Sequence, residues 1–377
     1  MGRRLSALKP ADSPDVRSEP GGGLPLESLV PADLTECNDI ALKHLRLGAS
    51  LYVPATRDDL VAIGNGQRYP HLRSAIFCTE DAIRADEVET AVQHLESMLP
   101  QLHPTSTLRF IRVRNPEIMA RLLALPGIQN IDGFVLPKTT RYNIRSYLEL
   151  LSPDDHVLLM PTLETAEAFD QQEMRELRTI LMEDGVRERI LALRVGANDM
   201  LSAIGVRRSI RRTIYDTAVG ATIAMLVGVF RPYGFNLTAP VFEGLAQPEV
   251  LGDEVERDLM HGLFGKTAVH PDQIQHIESA FRARAEDLEM AHEMLRADAP
   301  AVFRMHDTMC EPATHTAWAR LVIARAAIYG VIPAASAHPF GAVRPTWTQA
   351  RSRHTLDTPI GANGHAETVP VVDGVRS

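Results

Sequence analysis

Cysteine is scarce. Cys37, Cys78 and Cys310 are odd in number and widely scattered in 377 residues, which excludes a disulfide framework and any CxxC metal pair. They read as reduced thiols, so the expected setting is the cytoplasm. Long hydrophobic runs are missing too: none approaches the roughly 20 residues that cross a bilayer, and no membrane association is expected. The opening MGRRLSALKPADSPDVRSEPGGG is basic but lacks the apolar stretch of a signal peptide. Positive charge is in deficit, with a net charge of -9 and a pI near 5.9, which argues against a nucleic-acid partner because phosphate contacts need a clustered basic surface. An anionic small molecule stays compatible, since a pocket can be basic on an acidic protein. A glycine-rich phosphate loop is also lacking: GNG at Gly64 to Gly66 has neither the GxGxxG spacing nor a following Lys-Ser/Thr. No internal repeat recurs at a fixed period.

What is present is a hydrophobic fraction of 45%, enough for one large barrel or two ordinary domains. Residues 1 to about 30 and 331–377 are rich in Pro, Gly and small polar residues and offer little to bury, so disordered tails are expected around a domain at 31–330. Within that domain, strand-like and helix-like segments alternate as parallel βα units do. The predicted strands are Leu51 to Ala55, Ser74 to Asp81, Leu108 to Arg114, Gly133 to Lys138, His156 to Glu164, Ile190 to Asp199, Tyr233 to Leu237 and Lys266 to His270. Between them ALKHLRLG, DEVETAVQHLESMLPQL, QQEMRELRTILMEDGV and VGATIAMLVGVF space apolar residues three and four apart. Eight such units predict an α/β (β/α)8 barrel with a helical C-terminal extension; a doubly wound open sheet is the rival.

Charged residues collect where these strands end. The second ends in Glu80 and Asp81, the third in Arg112 and Arg114, the fourth in Lys138, the fifth in Glu164 and the sixth in Asn198 and Asp199. In a barrel these ends share one mouth, the face where such folds build active sites. Burying so many charges is costly unless they pair or bind a metal. Glu164 and Asp199, two hard oxygen donors on neighbouring units, suggest a magnesium ion.

Seven segments, LYVPA, SAIFCTEDAI, FIRVRNP, GFVLPK, LMPTLETAEAF, RVGANDMLSAIG and FGKTAVHPDQI, resemble in order the motifs of the citrate lyase beta subunit and malyl-CoA lyase group, the HpcH/HpaI aldolase superfamily of TIM barrels. The likeness runs from about Leu51 to Gly330. It implies a magnesium-dependent carbon-carbon bond lyase or aldolase acting through an enolate on a small keto or hydroxy acid or its coenzyme A thioester. Glu164 and Asp199 would hold the metal. Arg112 would bind the substrate's carboxylate or keto oxygens and take part in catalysis, with Lys138 beside it and Glu80 and Asp81 supporting it from behind. His270, Pro271 and Gln273 match a segment that shapes the last strand-loop. In several relatives a carboxylate from a C-terminal lid enters a neighbouring subunit's site as base, and TMCEP puts Glu311 at that place. The resemblance also implies trimers or hexamers. Departures include CTEDAI where relatives using coenzyme A show LEDAV, Arg114 for an asparagine, and TTRYN for an acidic stretch; they resemble a divergent branch of carbon-carbon bond lyases.

The residues allow plainer readings. Glu164 and Asp199 could cap the helices that follow. Arg112 could serve as a salt-bridge partner of Glu80 or Asp81, and Lys138 fits an ion pair better than a Schiff base, which a metal site would make redundant. His270 fits a shape element, and Glu311 could simply start a helix. The basic VRRSIRRTIYD, with Arg207, Arg208, Arg211 and Arg212, is open between a phosphate grip and a solvated helix face or subunit contact. Two other functions share these residues: hydrolysis of an acyl thioester, and a barrel that binds a metabolite without turning it over.

Overall fold

The alternating pattern closes into a barrel. The structure, a computed structural model, describes residues 43–153 and 155–333; both predicted tails, the domain's first residues and the opening of ALKHLRLG lie largely or wholly outside them. Eight parallel strands run β1 (Ala49–Pro54), β2 (Ser74–Cys78), β3 (Leu108–Arg112), β4 (Gly133–Leu136), β5 (Leu158–Leu163), β6 (Leu193–Val195), β7 (Leu237–Thr238) and β8 (Lys266–Ala268). Their order is β7-β6-β5-β4-β3-β2-β1-β8, and a single bridge between Ala239 and Lys266 joins the two ends. This is the (β/α)8 barrel expected from the sequence, and the open-sheet rival is excluded.

Strands buried on both faces need apolar side chains in both directions, which is why they read as near-continuous hydrophobic runs. Ile76, Phe110, Val135 and Met160 point inward and pack with Leu47, Leu108, Leu158 and Leu191. Phe77, Ile111, Phe134 and Leu159 point outward into the larger core beneath the helices. Those helices are α1 (Leu60–Gly64), α2 (Val88–Met98), α3 (Pro116–Leu123), α4 (Ile144–Leu148), α5 (Gln171–Leu181), α6 (Ala197–Ala203), α7 (Ala218–Phe230), α8 (Pro248–Met260) and α9 (Asp272–Ala280). In α5 the buried residues are Met174, Leu177 and Leu181, a single stripe, and Asp170 caps its start by accepting from the backbone N–H groups of Gln172 and Glu173. Asn115 does the same for α3, where Pro116 takes the first turn.

Two predicted elements differ. The seventh strand is Leu237–Thr238 and not Tyr233 to Leu237: Pro232 lacks an N–H to donate, Arg231–Tyr233 forms a 3-10 turn, and Gly234 reverses the chain at φ +80°. The sixth strand stops at Val195, and Asp199, predicted to close it, is the third residue of α6. ALKHLRLG contributes a 3-10 helix, His44–Leu47, within the described residues.

The C-terminal extension pairs α10 (Ala285–Leu295) with α11 (Pro312–Tyr329) around a small core of Leu288, Ala291, Cys310, Val322 and Ala326. Tyr329 ties it to the barrel, its hydroxyl donating to the Leu45 carbonyl and its ring meeting Phe264 and Phe281 edge-on. Among the described residues no helix is long and apolar enough to cross a membrane.

Candidate active site

Arg112 at the end of β3, the first charged residues after β2, β4 and β5, and Asp199 of α6 meet at the C-terminal mouth of the barrel. Arg112 is at the centre. Its Nη2 lies 2.7 Å from Glu80 Oε2, 3.0 Å from Asp81 Oδ2 and 3.0 Å from Glu164 Oε1. Lys138 Nζ lies 2.6 Å from Glu80 Oε1, 3.3 Å from Asp81 Oδ2 and 3.6 Å from Asp199 Oδ2. Four carboxylates thus surround two cations. Six of the site residues predicted from the sequence, Glu80, Asp81, Arg112, Lys138, Glu164 and Asp199, are therefore together.

Backbone geometry sets these positions. Lys138 follows β4 in the left-handed region at φ 47°, a conformation a non-glycine residue adopts only when its surroundings hold it. Its backbone N–H donates to Glu164 Oε1 at 2.9 Å, and Asn143 Nδ2 donates to its carbonyl. The TTRYN segment, through Asn143, therefore fixes the turn that aims Lys138. Gly196 leaves room for Glu164: a Cβ there would come within 2.2 Å of Glu164 Oε2. Arg114 grips the loop after β2 by donating to the carbonyls of Thr79, Glu80 and Ile83, which holds Glu80 and Asp81 in place.

Protonation follows from this crowding. Burial pushes the Glu164 carboxyl up to about 7, against the pull of Arg112 and the Lys138 N–H and with the help of Asp199's charge. Glu80 is likewise pushed up, first by burial and then by its bond to Asp81. Asp81 is held below the usual range, because its partners Glu80, Arg112 and Lys138 outweigh its own burial. Burial opposes the charge on Arg112, yet the acidic neighbours raise its hold on its proton.

Asp81, Arg112, Glu164 and Asp199 line a cavity of about 530 Å³ together with Tyr52, Cys78, Thr162, Arg194, Asn198, Glu243 and Thr267. Asn198 donates to Glu243 Oε1 at 2.9 Å. The capping reading of Glu164 fails, since its accepted bonds come from Arg112 and the Lys138 N–H, and Asp199 makes no cap for α6. Lys138 is an ion-pair partner. Among the described residues no group of three or more His, Cys, Asp or Glu could hold a metal by itself. The donor set still fits magnesium, which keeps several waters and takes one or two carboxylates with the rest from substrate. Both bonds to Glu164 end on Oε1, so Oε2 is left facing Gly196.

The other candidates lie elsewhere. His270 is half exposed, accepts from the Asp272 N–H and does not line the cavity; Gln273 spans Val269 and the Phe242 carbonyl, so this segment shapes the loop. Glu311 starts α11, where its Oε2 accepts from Thr314, and it too is outside the cavity lining. The basic cluster is no helix face: residues 204–213 are irregular, Arg208 is buried against Glu254, and Arg207, Arg211 and Arg212 are exposed. The sequence reading passed over Arg194, whose signal was a lone charge inside the apolar run LALRV, and Gly196 two residues later.

Comparison with known proteins places this fold in a family. The family model of the C-C bond lyases of the TIM-barrel fold matches residues 41–331. A (3S)-malyl-CoA thioesterase of Cereibacter sphaeroides is 23% identical over 249 residues, 66% of this chain and 81% of the relative. Among solved structures, the protein CitE of Mycobacterium tuberculosis, in complex with magnesium, acetoacetate and coenzyme A, is similar over 75% of this chain and 100% of its own, with 20% identity and a TM-score of 0.56. A citrate lyase of Burkholderia xenovorans LB400 is similar over 78% of this chain and 96% of its own, with 17% identity and a TM-score of 0.60. At these identities the structural likeness concerns the fold.

Proposed function

We propose that this chain, which belongs to the C-C bond lyase family of the TIM-barrel fold, cleaves or forms a carbon-carbon bond in a small keto or hydroxy acid, free or as its coenzyme A thioester, with a magnesium ion held by Glu164 and Asp199. The observation that carries this reading is the charge imbalance of the mouth, four carboxylates against Arg112 and Lys138 around an open cavity. A divalent cation offsets that excess, and CitE, with the same fold, was crystallised with magnesium, acetoacetate and coenzyme A.

The chain's own groups divide the work. Arg112, fixed by Glu80, Asp81 and Glu164, presents a guanidinium to the substrate's carboxylate or keto oxygens. Lys138 adds a second positive charge at the rim, and Arg114 keeps the supporting acids from moving. Magnesium bound between Glu164 and Asp199 would serve as a Lewis acid for the negative charge that develops in an enolate. Glu311 is outside this cavity, so its part as general base in this reading requires delivery from a neighbouring copy in a trimer or hexamer.

The test is calorimetry of pyruvate, oxaloacetate and glyoxylate with and without magnesium or manganese, on the unaltered protein and on Asp199→Ala. Metal-dependent binding that disappears in the variant supports the reading. Metal-independent binding, or none, sinks it and favours a metabolite-binding subunit without turnover. The thioesterase relative gives a second reading specific support. Malyl-CoA separates the two: cleavage yields glyoxylate and acetyl-CoA with no free thiol, whereas hydrolysis consumes water and releases malate and free coenzyme A, which a thiol reagent detects.

A further inference from the structure

One layer below Glu164 and Gly196, the barrel interior changes character. On the β2 to β5 side it is apolar, with Ile76, Phe110, Val135 and Met160. On the β5 to β8 side the inward positions are Thr162, Arg194, Thr238 and Thr267, with Thr162 in register with Arg194 and Arg194 with Thr238. Barrel interiors are usually filled by branched apolar residues at such positions. Thr162, Arg194 and Thr238 are each no more than 2% exposed.

The groups around Arg194 do not neutralise it. Its Nη2 donates to Thr267 Oγ1 at 2.6 Å, its Nη1 meets the Met160 sulfur at 3.9 Å, and its guanidinium lies 5.5 Å from the Tyr52 ring centre. Among the described residues it forms no salt bridge, whereas Arg112, 5.9 Å from the centre of the same Tyr52 ring, has three carboxylates. Beside it the hydroxyls of Thr162 and Thr238 are buried without a hydrogen-bond partner. A buried guanidinium without a counter-charge and two unsatisfied hydroxyls on the strands that flank its own are costly unless a ligand meets them. Thr162, Arg194 and Thr267 all line the mouth cavity, so these three of the row form its floor.

We propose that Thr162, Arg194 and Thr267 form a subsite for a second anionic group of the substrate, a carboxylate or phosphate carried by the part of the molecule remote from the metal-binding acid. A guanidinium flanked by hydroxyl donors matches the several acceptor oxygens of such a group. That the anion belongs to the substrate rests on the lyase reading of the mouth; the subsite itself does not need the metal. The enzyme would accordingly prefer acids with two separated anionic groups over those with one.

The experiment is calorimetry of the full chain in EDTA with inorganic phosphate and with malonate, on the unaltered protein, Arg194→Leu, Thr162→Val and Glu164→Gln. At least one probe should bind, on the order of tenfold more weakly to Arg194→Leu and a few-fold more weakly to Thr162→Val, the gentler change should Arg194→Leu misfold, as estimated from one lost charge-assisted or neutral hydrogen bond. Glu164→Gln should not weaken it. Binding of phosphate alone identifies a phosphoryl group, and of malonate alone a carboxyl group. Failure of both probes to bind, or equal affinity in the unaltered protein and the Arg194 and Thr162 variants, overturns the proposal. If the probes discriminate as expected while magnesium-dependent pyruvate binding fails, the subsite stands and the lyase reading falls.

Discussion

The barrel carries two ionic clusters, one open at its mouth and one sealed behind β8. At the mouth, Glu80, Asp81, Glu164 and Asp199 stand around Arg112 and Lys138 with an excess of negative charge, and Asp81, Arg112, Glu164 and Asp199 line a cavity. Behind β8, Lys266 points outward and lies 2.8 Å from both Glu254 and Asp258 of α8; Arg208 also pairs with Glu254, and Tyr215 donates to Asp258 at 2.7 Å. There two cations meet two anions, none is more than 1% exposed on its side chain, and the Ile214 N–H fills a remaining acceptor site on Glu254. A sealed, charge-balanced cluster fixes geometry, here pinning the Arg207 to Tyr215 segment to α8. An open, unbalanced one is made to receive something.

The sharpest way to break this comparison is to remove one cation from each cluster. Lys266→Met leaves Glu254 and Asp258 facing each other in a dry interior, and the expected loss is about 3–5 kcal/mol of stability, the usual cost of stranding a buried charge. Arg112→Met removes the central cation of the mouth, but water in the cavity can solvate the acids, so Tm should fall less while binding of keto acids is lost. Thermal melts and calorimetry on both variants check this; equal destabilisation would erase the distinction between the clusters.

A smaller effect sharpens the mouth's side of the contrast. Glu164 has a folded-state pKa of about 7, above its ordinary 4.5. Below pH 4.5 it is protonated folded or unfolded, and its contribution is complete. As pH rises toward 7 the unfolded chain gives up this proton first, so stability is lost across that window, by about 3 kcal/mol on the usual conversion of pKa shift to free energy. In metal-free protein Tm should therefore fall between pH 4.5 and 7, and the fall should flatten in Glu164→Gln. Magnesium added at pH 8 should raise Tm in the unaltered protein alone. A pH-independent Tm in metal-free protein contradicts the assignment.

Much of this site was legible before the fold was known, because a parallel strand announces its end by the first charge after an apolar run. Glu80, Arg112, Lys138 and Glu164 all follow that rule and all reach the mouth. Asp199 reached it by another route, the first turn of α6, because GAND reads the same as a strand end or a helix start. The two strand directions were less accessible. Lys266 and Arg194 are both single charges in short strands, yet one faces α8 and the other the barrel interior. Only the register of neighbouring strands decides such parity, and a shift by one residue would exchange their environments. Glu311 joins the C-terminal extension and not this mouth, and the base role proposed for it would need a neighbouring copy that the sequence of one chain does not position.

The smallest predicted effect concerns Arg114, where the two kinds of cluster shade into one another. It touches no carboxylate oxygen of the mouth; it donates only to the carbonyls of Thr79, Glu80 and Ile83. Arg114→Met keeps the length of the stem and gives up these bonds, which are long at 3.2 to 3.4 Å, so about 1–2 kcal/mol of stability is expected to go. Because the loop they hold carries Glu80 and Asp81, the loss should appear in the positioning of Arg112, as a lower kcat with a nearly unchanged metal affinity. A purely structural role predicts the opposite split: a lower Tm, with kcat and metal affinity both unchanged at a temperature where the protein stays folded.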